Sequence, residues 1–178
     1  MGVAVPDIVM NLEGESGRLE GWVAIEAGLK VLLLEALNEG NRRLVVLDPD
    51  FVHWPWSDAA VLEALGHWGR GGRHLEMLAP DYQACARRHP RFMQWRAHYD
   101  HVLRVADFDP GEVGPDWPTG LLATDHGPVL RLLELEHGRA RWTRAGPHLA
   151  ADRHAAFELF DAIAQRSSPA WPFTQLGL

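Results

Sequence analysis

Apolar positions recur at helical spacing over residues 20–38, at Trp22, Ile25, Leu29, Leu32, Leu33 and Leu37. Gly40 then supplies a stop. RLVVLD at 43–48 is a short apolar run of the kind that forms a buried strand. Ser57 is an expected N-cap, with a helix over 58–68 turning Val61, Leu62, Leu65 and Trp68 inward. A second strand is expected at 74–79, a helix over 81–98 restarted by Pro90, and a third strand at 101–108. Strand, helix, strand, helix, strand with short links predicts an α/β core with parallel neighbours.

The pattern then changes. PGEVGPDWP at 110–118 is a breaker-rich loop. Residues 121–124, the turn Asp125-His126-Gly127 and residues 129–135 predict a β-hairpin. Arg139 to Arg144 alternates arginine with smaller residues, as an edge strand would. Residues 148–166 form a closing amphipathic helix with Ala156, Leu159, Phe160 and Ile163 inward. The expected fold is a mixed, mostly parallel sheet flanked by helices on both faces. Residues 1–18 are a lead-in with a short strand at 7–12, 19–167 a single α/β domain, and 168–178 a Pro-rich tail docking through Trp171 and Phe173.

Composition supports one globular domain: 178 residues, 47 % apolar and 23 % charged, exclude a disordered or fibrous chain. The formal charge of −7 argues against nucleic-acid and anionic-membrane partners. Between Arg70 and Arg104, however, seven arginines face three acids. Arg87, Arg88, Arg91 and Arg96 are therefore a candidate anion site, against the plainer alternative of a solvated basic face. Cys85 is the only cysteine, which excludes an internal disulfide and fits a reducing, cytoplasmic setting. The first residues lack a signal-peptide pattern, and apolar runs such as 31–34 are far too short to span a bilayer.

Candidate chemistry is sparse. Asp48, Asp50 and His53 follow the carboxyl end of a predicted strand, where open α/β sheets place ligands. With Asp125 or His126 from another strand end they would make a divalent-ion site walled by Trp54 and Trp56. The alternative is an Asp-Pro-Asp turn beside core-edge tryptophans. His98 and His101 are too few ligands for a metal, and His148, Asp152 and His154 do not share one helix face. Cys85 and His89 lie four apart, but a mid-helix cysteine is more often a small buried apolar residue. No phosphate-cradling loop, HExxH, GxSxG or CxxC is present, so no cofactor is implied.

RRLVVLDPDF, ALGHWGRGGRHLEMLAPD, RFMQWRAHYDHVLRV, GLLATDHGPVLRLLEL and AAFELFDAIAQRSSP, spanning residues 42–169, set a characteristic order of elements. In that order the chain resembles one half of the phospholipase D superfamily fold. More narrowly, it looks like bacterial domains of that fold that lack the catalytic motif and have no assigned function. The active family carries His-x-Lys-x4-Asp on the strand entering the hairpin, the histidine as phosphoryl nucleophile and the lysine on phosphate oxygens. With Asp125 as the motif aspartate, the lysine position is Gly120 and the histidine position Pro118. Neither supplies a nucleophile or a cation, which excludes that chemistry. Lys30, the only lysine, has Gly28 two residues before it, so no other register restores the motif. The resemblance implies a non-catalytic domain used for binding or assembly. It also implies a homodimer meeting at the former active-site face, with Trp117 and the 110–118 loop at the interface, and leaves room for a further protein partner.

Overall fold

The computed structural model describes residues 12–115, 117 and 119–170. Strand β1 (Ser16–Glu20) leads into helix α1 (Trp22–Asn38), and strand β2 (Arg43–Leu47) follows. Helix α2 (Ala59–Trp68) connects β2 to β3 (His74–Ala79). Helices α3 (Gln83–Arg88) and α4 (Pro90–His98) connect β3 to β4 (Leu103–Asp107). The one-turn helix α5 (Pro110–Val113) precedes the meander β5 (Gly120–Thr124), β6 (Val129–Glu134) and β7 (Arg139–Thr143). Helix α6 (Leu149–Ala164) and the two-residue strand β8 (Ser168–Pro169) complete the described fold.

One eight-stranded sheet runs in the order β1-β7-β6-β5-β2-β3-β4-β8. The mixed α/β sheet is as the sequence predicts, but parallel pairing is confined to β2-β3 and β3-β4. The other neighbours pair antiparallel, because hairpin and terminal strands outnumber the crossover strands. The arginine-rich strand β7 is not an edge. Strand β1, from the segment read as a lead-in, pairs along it from Ser16↔Thr143 to Glu20↔Arg139. At the other edge β8 pairs with β4, and the Ala170 amide donates to the Val105 carbonyl at 2.9 Å. The sheet thus takes in the ends of both flanking segments. The expected strand at 7–12 lies almost wholly, and Trp171 and Phe173 entirely, outside the described residues.

Helices cover both faces. Ile25, Leu29, Leu32 and Leu33 of α1, Leu65 and Trp68 of α2, and Phe92 and Trp95 of α4 pack with Leu44, Val46, Leu75 and Met77 on one side. Ala156, Phe160 and Ile163 of α6 pack with Val45, Leu47, Leu78, Leu121 and Ala123 on the other. The alternation along β2 sends successive residues to opposite cores, so a polar residue on either face of this strand would be buried. Each fully buried large side chain contributes roughly 1.5–3 kcal/mol relative to exposure.

Local chemistry sets the ends of the elements. Asp58, rather than Ser57, caps α2, its Oδ1 accepting from the Ala60 and Val61 amides at 2.9 and 3.2 Å. The expected helix over 81–98 is two helices. His89 leaves helical geometry at φ −123°, ψ 63°, and Pro90 starts α4. Asp109 and Pro110 build α5 inside the predicted loop, Asp109 Oδ1 accepting from the Gly111 amide at 2.8 Å.

Candidate functional site at the carboxyl end of strand β2

Asp48 is the first residue past β2, and its amide donates to the Leu78 carbonyl of β3 at 3.2 Å. Its carboxylate closes the turn that follows. Oδ1 accepts from the Asp50 and Phe51 amides at 3.0 and 2.7 Å, and Oδ2 accepts from Trp54 Nε1 at 3.0 Å. The turn forces Phe51 to φ 57°, a left-handed conformation that a bulky residue adopts only when its surroundings hold it there. Phe51 is wholly buried, and its carbonyl takes a hydrogen bond from His89 Nε2 at 2.9 Å. Burial raises the Asp48 pKa from 3.8 to about 6, and the three hydrogen bonds only partly oppose the rise.

Trp54 and Trp56 do not wall an open pocket. They begin a run of stacked rings, Trp54, Trp56, Phe92, Trp95 and Tyr99, with centroids 5.5, 5.0, 5.7 and 4.7 Å apart. The loop after β2 is thereby pinned to α4. His53 lies outside this core, stacked on Trp22 at 3.9 Å with Nδ1 2.7 Å from Glu26 Oε1. A cleft of about 490 Å³ opens beside it, where Arg88 is exposed and Lys30 pairs with Asp58 at 2.8 Å.

Asp125 and His126 are elsewhere. Strand β5 runs antiparallel to β2, with Leu44 opposite Thr124 and Leu47 opposite Leu121. Asp125 therefore lies at the start of β2, where it accepts from the Arg42 and Arg43 amides at 3.1–3.3 Å. The His126 amide donates to buried Asn41 Oδ1 at 2.7 Å. The length of β2, about 16 Å of extended chain, separates these residues from Asp48, Asp50 and His53. The joint ligand site expected from the sequence does not form. Among the described residues the one cluster with metal-ligating spacing is Glu134, Glu136 and His137 at the exposed β6–β7 turn.

The four arginines are also divided. Arg87 and Arg88 sit on α3 and Arg91 on α4, all exposed, whereas Arg96 of α4 is buried against the core. With the helix broken at His89-Pro90 and Arg96 buried, the four arginines do not share one exposed face. Cys85 is buried, and desolvation with the nearby Asp48 and Asp50 charges pushes its thiol up to about 12, which removes any thiolate role. Burial lowers the His89 pKa and keeps the ring neutral. His98 Nδ1 meets the Gln94 carbonyl at 3.1 Å, Asp152 accepts from Thr143 Oγ1 at 2.8 Å, and His154 pairs with Glu158 at 3.1 Å.

Gly120, at the start of β5, faces Asp48 across this end of the sheet. An ideal Cβ on Gly120 would stand 2.9 Å from Leu132 Cβ and 3.4 Å from Asp48 Oδ2. The first distance is shorter than real side chains tolerate, so Leu132 and Asp48 close the space in which a side chain would project. Sequence reasoning missed this packing because Leu132 lies 12 residues away and meets Gly120 only through the hairpin register.

Comparison with solved structures places this architecture. Nuc from Salmonella typhimurium, a phospholipase D family member, superposes with a TM-score of 0.53 at 14 % identity over 88 % of this chain and 99 % of its own. NucT from Helicobacter pylori gives 0.54 at 7 % identity, again over 88 % and 99 %. The chain has a phospholipase D-like fold. TrmBL2, an archaeal chromatin protein whose structure shows a novel mode of DNA binding, gives 0.58 at 15 % identity. The match covers 92 % of this chain and spans 57 % of TrmBL2. No family model matches the sequence, and no curated protein does. Among the described residues no helix is long and apolar enough to cross a membrane.

Proposed function

We propose that this phospholipase D-like domain is non-catalytic and serves binding and assembly, as a homodimer joined at the carboxyl end of β2. The observation that carries the proposal is Gly120, whose missing side chain is replaced by the packing of Leu132 beside Asp48. Proton transfer through Asp48 is disfavoured too. Its oxygens are already occupied by two amides and an indole.

The same end of the sheet offers apolar surface. Val23, Leu133 and Leu135 are the large exposed apolar side chains among the described residues, at 72, 51 and 39 %. Leu132 opposite Gly120 brings the end of β6 to this place. The Gly21 amide, donating to the Gly138 carbonyl at 2.8 Å, brings the start of α1 there as well. Trp117, edge-on to Phe108 at 5.2 Å, sits just before β5 at this end. Apolar surface gathered at one end fits a protein interface better than scattered exposure does. The proposal includes a cytoplasmic setting, which the single cysteine supports.

The catalytic half of the proposal is tested with a chromogenic phosphodiester, bis(p-nitrophenyl) phosphate, with and without divalent metals. The expected result is no turnover above buffer. Turnover that co-purifies with the chain and falls in an Asp48→Asn variant would overturn it.

A further inference from the structure

Arg18 of β1, Arg141 of β7 and Arg131 of β6 stand directly opposite one another in the sheet register. Adjacent strands are about 4.8 Å apart, so this is a row of three guanidinium-bearing positions across three strands. All three are exposed, on the face that carries α6. Helix α6 packs over β2, β5 and β6 and reaches β7 through Asp152, which accepts from Thr143 Oγ1 at 2.8 Å. Like charges placed directly opposite across strands destabilise a sheet. Here they are barely offset. Asp152 lies 3.9 Å from Arg141 and is shared with Thr143, and Arg18 and Arg131 have no carboxylate partner among the described residues.

A cleft of about 410 Å³ adjoins the row, lined by Arg18, Arg141, Ser16, Glu15 and Asp152. Helix α6 begins at its wall, with no side-chain cap on the amides of its first turn. Those amides add a positive end to the same hollow.

We propose that this arginine row is a binding site for a small molecule bearing two or more linked phosphates. Three guanidinium groups outnumber the two carboxylates beside them, Glu15 and Asp152, and a row two strand spacings long, about 10 Å, matches linked phosphates rather than one, each planar guanidinium fork meeting phosphate oxygens in pairs. The small ligand is favoured over a nucleic-acid strand by the acids around it. Glu15 and Asp152 sit in the cleft, and the chain carries −7 overall, so a continuous polyanion is repelled where a compact one is not. The site is independent of the Gly120 end, and its test does not depend on the oligomeric state.

Inorganic triphosphate titrated calorimetrically into the full chain at low salt is the test. Saturable binding is expected, weakening as salt rises. Arg18→Gln and Arg131→Gln should each weaken it by about tenfold, while Arg87→Gln on α3 leaves it unchanged. Without ligand, the first two variants should melt no lower than the parent, since each relieves repulsion. That readout separates a binding role from a merely structural one. Absence of binding at millimolar triphosphate, or binding indifferent to Arg18→Gln and Arg131→Gln, would overturn the site. A short single-stranded oligonucleotide that binds through these arginines when triphosphate does not would overturn the choice of ligand.

Discussion

Asp48 should make the fold less stable as pH rises, against the usual behaviour of a carboxylate. Its pKa stands at about 6 in the folded chain against 3.8 for the free group. Ionising it therefore costs about 3 kcal/mol more in the folded than in the unfolded state. Between those two values the unfolded chain releases its proton first, the folded chain holds more protons, and stability falls with pH. Below about 4 and above about 6 the slope from this group vanishes. The perturbation that isolates it is the double variant Asp48→Asn with Trp54→Phe. The asparagine carbonyl keeps the two backbone amides. The phenyl ring removes the indole N–H, which would otherwise meet the new amide head-on. Urea unfolding of parent and variant is measured at steps from about pH 4 to pH 7. Other shifted acids, such as Asp58 and Glu39, act in both chains and drop out of the difference. The variant should gain about 3 kcal/mol on the parent across the window. A difference that stays constant would mean that the three hydrogen bonds cancel burial, and one that moves the other way that they outweigh it; either refutes a raised Asp48 pKa.

Gly120→Ala should destabilise by about 1–3 kcal/mol in chemical denaturation, because Leu132 must move to admit the methyl group. Asn41→Ala should cost about 2–3 kcal/mol by the same assay. It removes bonds to the Ala36 carbonyl and the His126 amide at a wholly buried position and strands both. Asp58→Ala should cost about 1 kcal/mol at neutral pH through loss of the α2 cap. Lys30 and the cap amides hold the Asp58 pKa below its free value, so its contribution is present above pH 3.8 and lost as pH falls through the lower folded value. The penalty of Asp58→Ala should therefore shrink in acid.

Elements with strong local patterns were legible. Strand β3 lies where HLEMLA predicts it, and β2, α1 and α6 differ from expectation only at their ends. Strand β1 was hidden because SGRLE buries one apolar residue, Leu19, and gains its partners only from β7, more than 100 residues on. That same distant pairing makes β7 an interior strand. The split between α3 and α4 was legible in Pro90, which disfavours helical geometry at His89, while the bond of His89 to Phe51 ties the break to the loop after β2 and could not be read locally. Asp48 and Asp125 pair in the sequence reading because both follow short strands. Only the antiparallel direction of β5 sends Asp125 to the opposite end of β2. Glycine at 120 and proline at 118 were legible from residue identity alone. The filling of the space by Leu132 and Asp48 was not, since it rests on hairpin register. Of the arginine row, Arg141 stood in the alternation of RARWTR and Arg131 on the expected hairpin, but Arg18 lies on the unrecognised strand β1.

Sedimentation equilibrium of the full chain over a wide range of micromolar concentrations bears most directly on the assembly proposed at the end of β2. The expected mass is twice 19.9 kDa, falling to a single copy in folded Leu135→Asp and Val23→Asp variants. A parent chain that stays at 19.9 kDa at every concentration, or a dimer that both variants leave intact, would contradict the account.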